Sequence, residues 1–459
     1  MTRFAFAAEI AGKVQCGTWR AGEVVEQTLA HIAAINPAVN AYTDVTADRA
    51  RQRAEALDRG AHKGPLAGVP FAVKNLCDIE GLPTRAGSKI NRDRPPASAD
   101  ATLIRRLERA GAILLGGLNM GEYAYDFTGE NIHDGACRNP HDLTRMSGGS
   151  SSGSGAATAT GLAPISIGSD TNGSIRVPAS LCGVFGLKPT YGRLSRAGSF
   201  PFCDSLDHLG PLARSVTDLA LAYDVMQGAD PADHACRPPD DTPVTPLLSQ
   251  APARLRVGVL GGYFATGASD AACRAVAKAA QALGATGRVN LDGAEAGRAA
   301  AFIITNVESA RFHLQRLRTR ADAFDPDTRD RFLAGAMLPG GWYVRAQQVR
   351  RWWAGQLADA FRTFDLLLAP ATPCSAPAIG QKTLDIAGED VLLRPHLGLY
   401  TQPISCVGLP VVCVPMSAPD QLPIGVQLIA APWREALCLQ AARLLEAAGV
   451  AVAHPPEAL

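Results

Sequence analysis

The sequence predicts an α/β fold, a layered sheet covered by helices on both faces. Three observations carry that reading. Short apolar runs bounded by glycine or proline recur along the chain: VPFAV (69–73), AILLGGLNM (112–120), LRVGVLGG (255–262), DLLLAPATP (365–373), LPVVCVPM (409–416) and PIGVQLIAA (423–431). Continuous rather than alternating hydrophobicity marks strands buried on both sides. Stretches with helical spacing alternate with these runs. The 459 residues and their 47% hydrophobic content supply enough apolar surface for a thick core.

Taken in order, residues 5–60 read as helical: VVEQTLAHIAAI (24–35) spaces its apolar side chains at 3.6 residues, and an Ala/Arg/Glu-rich stretch follows Asp48. This gives an N-terminal helical segment at 1–60 and one α/β core at 61–459. Pro65 and Gly68 punctuate the chain before the strand VPFAV. Residues 100–111 form a helix with Asp100 as cap and Gly111 as stop, followed by the strand AILLGGLNM. From 146 the composition turns to Gly, Ser and Ala, where AATATG (156–161) reads as a tightly packed helix, with a strand at SIG (166–168) after it. The free N–H groups at that helix's start face the serine-rich loop. Residues 228–252, rich in Pro and Asp, read as a surface excursion. Strand 255–262, helices 270–283 and 340–364, strand 365–373 and a last helix near 435–448 continue the alternation.

Composition excludes several functions. Lys plus Arg (44) nearly cancels Asp plus Glu (43), so no electrostatic footprint for nucleic acid or an acidic membrane is present. Eleven scattered cysteines without a CxxC pair fit reduced thiols and a cytoplasmic setting. Glu9 and Lys13 interrupt any signal-peptide core. No run approaches the roughly 18 apolar residues that span a bilayer. The nine histidines show no metal-ligand spacing, and GVLGGYFATG (258–267) lacks GxGxxG. Neither a metal nor a cofactor is expected.

The chemistry concentrates in three places. Lys74, one of seven lysines against 37 arginines, is the charged group of the apolar run GVPFAVKNL. Burial penalises its ammonium form and makes a neutral amine available as a general base. An ordinary buried ion pair, with Asp78 for instance, is the alternative. The loop GSSSG (149–153) formally satisfies GxSxG, but a nucleophile elbow needs a strand directly ahead, and NPHDLTRMSG is polar and contains proline. No Lys-Ser/Thr follows the glycines, which excludes a P-loop. In SDTNGSIRVP (169–178), Ser174 follows Asn172 and Gly173, a turn whose successive N–H groups can converge on an anion or simply hold a tight corner.

Together these segments resemble the amidase signature family, from GVPFAVKNLCDIEG through GLNMGEYAYDFTGENIHDGACRNP and the Gly/Ser stretch to SLDHLGPLARSVTDLA and LPIGVQLIAAPW. The resemblance implies one large mixed β-sheet with helices on both faces. It also implies a Ser–cis-Ser–Lys set, with Ser174 as nucleophile, Ser150 on a cis peptide after Gly149 as bridge, and Lys74 as base. The backbone N–H groups of Thr171, Asn172, Gly173 and Ser174 become the oxyanion donors. Asp170 and Arg176 are expected to hold that loop, and Lys188 to be structural.

Within the family, AGSKIN, LLGGLNM, GSDTNGSIRVPASLCGV and PIGVQLIAAPW are most similar to the group that hydrolyses 1-carboxybiuret in cyanuric acid (s-triazine) breakdown. That implies an amidohydrolase releasing ammonia and a shorter carboxylated urea. It further implies a small helical partner related to amidotransferase C subunits, in a heterotetramer. The glutaminase (A) subunit of glutamyl-tRNA amidotransferase, or a general or ureide amidase, are the competing members. Asn172 stands where glycine is common; its amide either meets substrate or tolerates a left-handed backbone. Arg311, Arg318, Arg320 and Arg345 are the candidate carboxylate ligands, and Tyr125 either walls the pocket or sits in the core.

Overall fold

The computed structural model describes residues 3–60, 64–250, 252, 255–416 and 421–457. Its strands in chain order are β1 (Tyr42–Val45), β2 (Pro70–Lys74), β3 (Ile113–Leu118), β4 (Arg138–Asn139), β5 (Asp142–Met146), β6 (Ile165–Ser169), β7 (Phe185–Lys188), β8 (Leu209–Ala213), β9 (Val257–Leu260), β10 (Gly287–Val289), β11 (Leu366–Pro370), β12 (Thr383–Ile386), β13 (Glu389–Leu392), β14 (Val411–Pro415) and β15 (Gly425–Ala430). Eleven of them form one sheet in the order β1-β3-β2-β6-β8-β7-β14-β15-β11-β9-β10, while β4–β5 and β12–β13 are separate two-stranded ladders. Pairing is parallel for β2 with β3 and β6, and for β9 with β10 and β11; β8 runs antiparallel to both β6 and β7. The mixed sheet with helices on both faces is the predicted fold.

The apolar runs are buried for the expected reason. Along β11, Leu366 and Leu368 join the core that includes Ala272, Ala275 and Ala279 of the helix Asp270–Ala282. Leu367 and Ala369 point the other way, into a core with Ile304 and Trp353 from the helices Ala294–Arg320 and Gly340–Thr363. Side chains alternate across a strand, so both sets must be apolar when both faces are covered. The Gly/Ser/Ala stretch becomes the helix Ser152–Ala159, buried along its entire length. Small residues are required there: a Cβ on Gly155 would lie 3.0 Å from the Pro178 side chain of the neighbouring helix Arg176–Cys182.

Some expectations need correction. The helical stretch 5–60 contains β1, which extends the main sheet by pairing with β3. Asp100 does not cap its helix. It accepts from the Glu80 N–H at 2.9 Å and pairs with Arg49, while the helix Thr102–Arg109 starts after Ala101 without a side-chain cap. A strand, β5, does precede the Gly/Ser loop, although it belongs to a two-stranded ladder outside the main sheet. The excursion at 228–252 holds no strand or α-helix among its described residues; residue 251 lies outside them. No helix among the described residues is long and apolar enough to cross a membrane.

Candidate active site

Lys74 is the last residue of β2 and has no exposed surface. Its Nζ lies 2.7 Å from Ser150 Oγ, 2.8 Å from Ser169 Oγ and 3.1 Å from Ser151 Oγ. It forms no ion pair with a carboxylate among the described residues. Asp78 instead accepts from the Thr84 hydroxyl, so the ion-pair reading of Lys74 falls away. Burial pulls the Lys74 pKa from 10.5 down to about 7, against weaker upward pulls from Cys77, Asp170, Asp207 and Asp126. The hydroxyl partners fit a neutral amine. Ser151 already donates to the Ser169 carbonyl at 3.0 Å, so toward Lys74 its oxygen accepts. With Ser169 accepting the second N–H, the lone pair is left for a proton from Ser150.

The Gly149–Ser150 peptide is cis. The Ser151 N–H donates to the Ser174 carbonyl at 3.3 Å, which ties the serine loop to the second serine segment. The literal GxSxG centre, Ser151, is therefore a buried scaffold residue. Among the described residues the Ser174 hydroxyl is hydrogen-bonded to neither Ser150 nor Lys74; Ser174 lines a cavity of ≈ 220 Å³.

The turn between Asp170 and Arg176 is held by charge. Asp170 Oδ2 accepts from the Ile175 N–H at 3.2 Å and from Arg176 Nε at 2.9 Å, and Oδ1 accepts from Arg176 Nη2 at 2.9 Å. Both side chains are fully buried. Burial alone would raise the Asp170 carboxyl, but the Arg176 charge and hydrogen bonds, with Lys188 and His208, hold it well below the usual range. Arg176 also reaches Gln427 Oε1 at 2.7 Å, the Thr401 carbonyl at 3.2 Å and the Ser405 hydroxyl. Lys188 is buried outside the cavity and donates to the Pro189 carbonyl at 3.0 Å.

Within this turn the backbone N–H groups of Thr171, Asn172, Gly173 and Ser174 make no hydrogen bond among the described residues. Four successive unused donors are what an anion nest requires. Gly173 has φ 143°, and a Cβ there would collide with Thr401 Oγ1. Asn172 is not left-handed, so the backbone explanation for it is withdrawn. Its Nδ2 donates to Thr305 Oγ1 at 2.8 Å, while its Oδ1 is sealed in without a partner. Thr171 Oγ1 donates to Asp207 at 2.6 Å.

Tyr125 lines the cavity and donates to Asn306 Oδ1 at 2.6 Å. None of the four candidate arginines does: Arg311 pairs with Asp204, Arg320 reaches Asp93, Arg345 reaches Gln348, and Arg318 is exposed. The cavity's cation is Arg331, which donates to the Tyr125 carbonyl at 3.1 Å with its guanidinium 5.0 Å from the Tyr125 ring centroid. It makes no ion pair among the described residues. Arg331, Thr305, Phe202 and Gln402 were missed as wall residues because nothing local marks them; the helices Ala294–Arg320 and Pro326–Met337 carry ordinary amphipathic sequence.

A model of the family described as Amidase matches residues 23–439. The chain is 55% identical over 449 residues to AtzE, a component of the 1-carboxybiuret hydrolase of Pseudomonas sp. (strain ADP), covering 96% of this chain and 98% of that protein. It is 39% identical over 472 residues to the glutaminase-type A chain of the glutamyl-tRNA(Gln) amidotransferase of Anaeromyxobacter dehalogenans (strain 2CP-C), covering 95% and 94%. A solved structure of a vestigial protein complex, bearing on the origins of an s-triazine catabolic enzyme, matches with a TM-score of 0.96 at 54% identity, over 98% of this chain and 100% of that one. The 6-aminohexanoate cyclic dimer hydrolase complexed with substrate matches with a TM-score of 0.89 at 31% identity, over 100% and 99%. The chain belongs to the amidase signature family and is a hydrolase of carbon–nitrogen amide or ureide bonds.

Proposed function

We propose that the chain hydrolyses a small carboxylated ureide, 1-carboxybiuret or a near analogue, to ammonia and a shorter carboxylated urea. The observation that carries the mechanism is the Lys74 amine, fully buried, free of any carboxylate and 2.7 Å from Ser150 Oγ. Ser174 Oγ attacks the carbonyl carbon as its proton moves to Ser150, whose own proton moves to Lys74. The carbonyl oxygen gathers negative charge against the free N–H groups of residues 171–174. The relay then reverses: Ser150 protonates the leaving nitrogen, the C–N bond breaks, and ammonia departs. Water attacks the acyl-Ser174 ester by the same relay, releasing the acid and restoring the serine. The reaction draws on no redox or metal step.

Substrate choice rests on the cavity. Its volume suits a molecule of a few heavy atoms, and Arg331 offers an uncommitted guanidinium for a carboxylate. Tyr125 forms a wall and braces Arg331 through its ring and carbonyl. The likeness to the 1-carboxybiuret hydrolase component supports the same substrate. The likeness to a protein complex supports an assembly with a small helical partner, as a heterotetramer. A cytoplasmic location goes with this reading.

Ammonia release from 1-carboxybiuret, biuret, glutamine and a simple aliphatic amide, with and without the co-expressed small protein, tests the proposal. Highest kcat/KM on 1-carboxybiuret supports it. Highest kcat/KM on glutamine would place the chain with the amidotransferase glutaminases instead.

A further inference from the structure

Gln402 is 5% exposed, stands at the start of the short helix Gln402–Cys406, and lines the same cavity as Ser174. Its Oε1 accepts from Arg298 Nε at 2.7 Å. A guanidinium has donors only, so this bond fixes which end of the amide is which: the oxygen turns to Arg298 and the NH2 turns away. Arg298 is itself anchored, donating from Nη2 to the Pro395 carbonyl at 3.0 Å. The Gln402 Nε2 has no hydrogen-bond partner among the described residues. It is also absent from the polar atoms sealed away from solvent, unlike the Asn172 oxygen. A buried amide held by one end, with two N–H groups open to an otherwise apolar cavity, is a preorganised donor.

We infer that Gln402 is a specificity-determining residue whose Nε2 donates to a second carbonyl oxygen of the substrate, the one that Ser174 does not attack. This rests on the reading of the cavity as the substrate site, and it deepens that reading. Arg331 takes a carboxylate, the free N–H groups of the turn take the attacked carbonyl, and Gln402 takes the remaining ureide carbonyl. The enzyme then prefers compounds with two carbonyls joined through one nitrogen over monoamides of equal length. Arg298 is a positioning residue, since it acts through the orientation it imposes on Gln402.

The test uses binding, so it does not depend on which substrate is turned over. In a Ser174→Ala background, calorimetry gives Kd for biuret and for butyramide, a monoamide of similar length without the second carbonyl. Gln402→Met removes the donor without adding charge, and Gln402→Glu keeps the Arg298 bond while removing the N–H groups. Both are expected to weaken biuret binding about fivefold to tenfold, the worth of one neutral hydrogen bond, with butyramide binding unmoved. Arg298→Met should give part of the loss, and Arg298→Lys, which still donates to Oε1, should restore it. Equal weakening of both ligands, no weakening of either, or no preference for biuret in the parent would overturn the inference. Failure of 1-carboxybiuret turnover alone would count against the proposed substrate and leave the Gln402 result standing.

Discussion

If Lys74 must be neutral to accept the Ser150 proton, catalysis rises with pH through the amine's own titration. Burial moves that titration from 10.5 to about 7, a penalty on the charged form of about 5 kcal/mol. The active fraction is then about one tenth at pH 6, one half near pH 7 and nine tenths at pH 8. The assay is kcat/KM for ammonia release between pH 5.5 and 9, at constant ionic strength. Two other groups titrate nearby. Burial raises the Asp207 carboxyl to about 6, and burial with the Arg176 charge lowers Lys188 to about 7. Asp207→Asn separates one of them: it should keep the rise near pH 7 even if the rate falls. Lys74→Ala should remove the rise and lower kcat by about 10²–10⁴, or more if the relay works as a unit. A profile flat from pH 6 to 8, or near-normal rates in Lys74→Ala, would refute the reasoning. The same depression gives a stability slope. The unfolded chain holds the Lys74 proton up to about 10.5 and the folded one only to about 7, so stability rises between these values and is level below.

Gly173→Ala should be nearly inactive and should melt several degrees lower, because an alanine at φ 143° is strained and its Cβ meets Thr401; unchanged activity and melting would show that the turn adapts. Arg331→Met should raise KM for carboxylated substrates about 10- to 100-fold with kcat little changed, and leave uncharged amides alone; steady-state kinetics on both classes decides. Asp170→Asn should cost about 3–5 kcal/mol in denaturant unfolding at neutral pH by leaving Arg176 unpaired. Because Asp170 is held below its unfolded value, that difference should shrink as pH falls below about 4, where the wild-type carboxylate begins to be lost.

The sheet was legible in the chain because a strand covered on both faces has no polar residue to disguise it, as in β11 and β14. β1 was missed because its four residues lie between two helices and only its pairing with β3 marks it as a strand. Asp100 looked like a cap, but Arg49 and the Glu80 N–H, brought up by tertiary packing, claimed the carboxylate first. Lys74 stood out because a lone charge in an apolar run is costly wherever it is placed. The wall was illegible for the opposite reason. Arg331 is one of 37 arginines, and only the packing of its helix distinguishes it from Arg318, which faces solvent. Gln402 likewise acquires meaning only when Arg298, 104 residues earlier, takes its oxygen.

The clamp made by Arg176 spans most of the chain: its partners at Thr401, Ser405 and Gln427 lie 225, 229 and 251 residues downstream. A nascent polypeptide halted before residue 401 therefore has none of these anchors for the segment that presents the nucleophile. Hydrolysis begins late in synthesis, and prematurely terminated copies are inert instead of promiscuous.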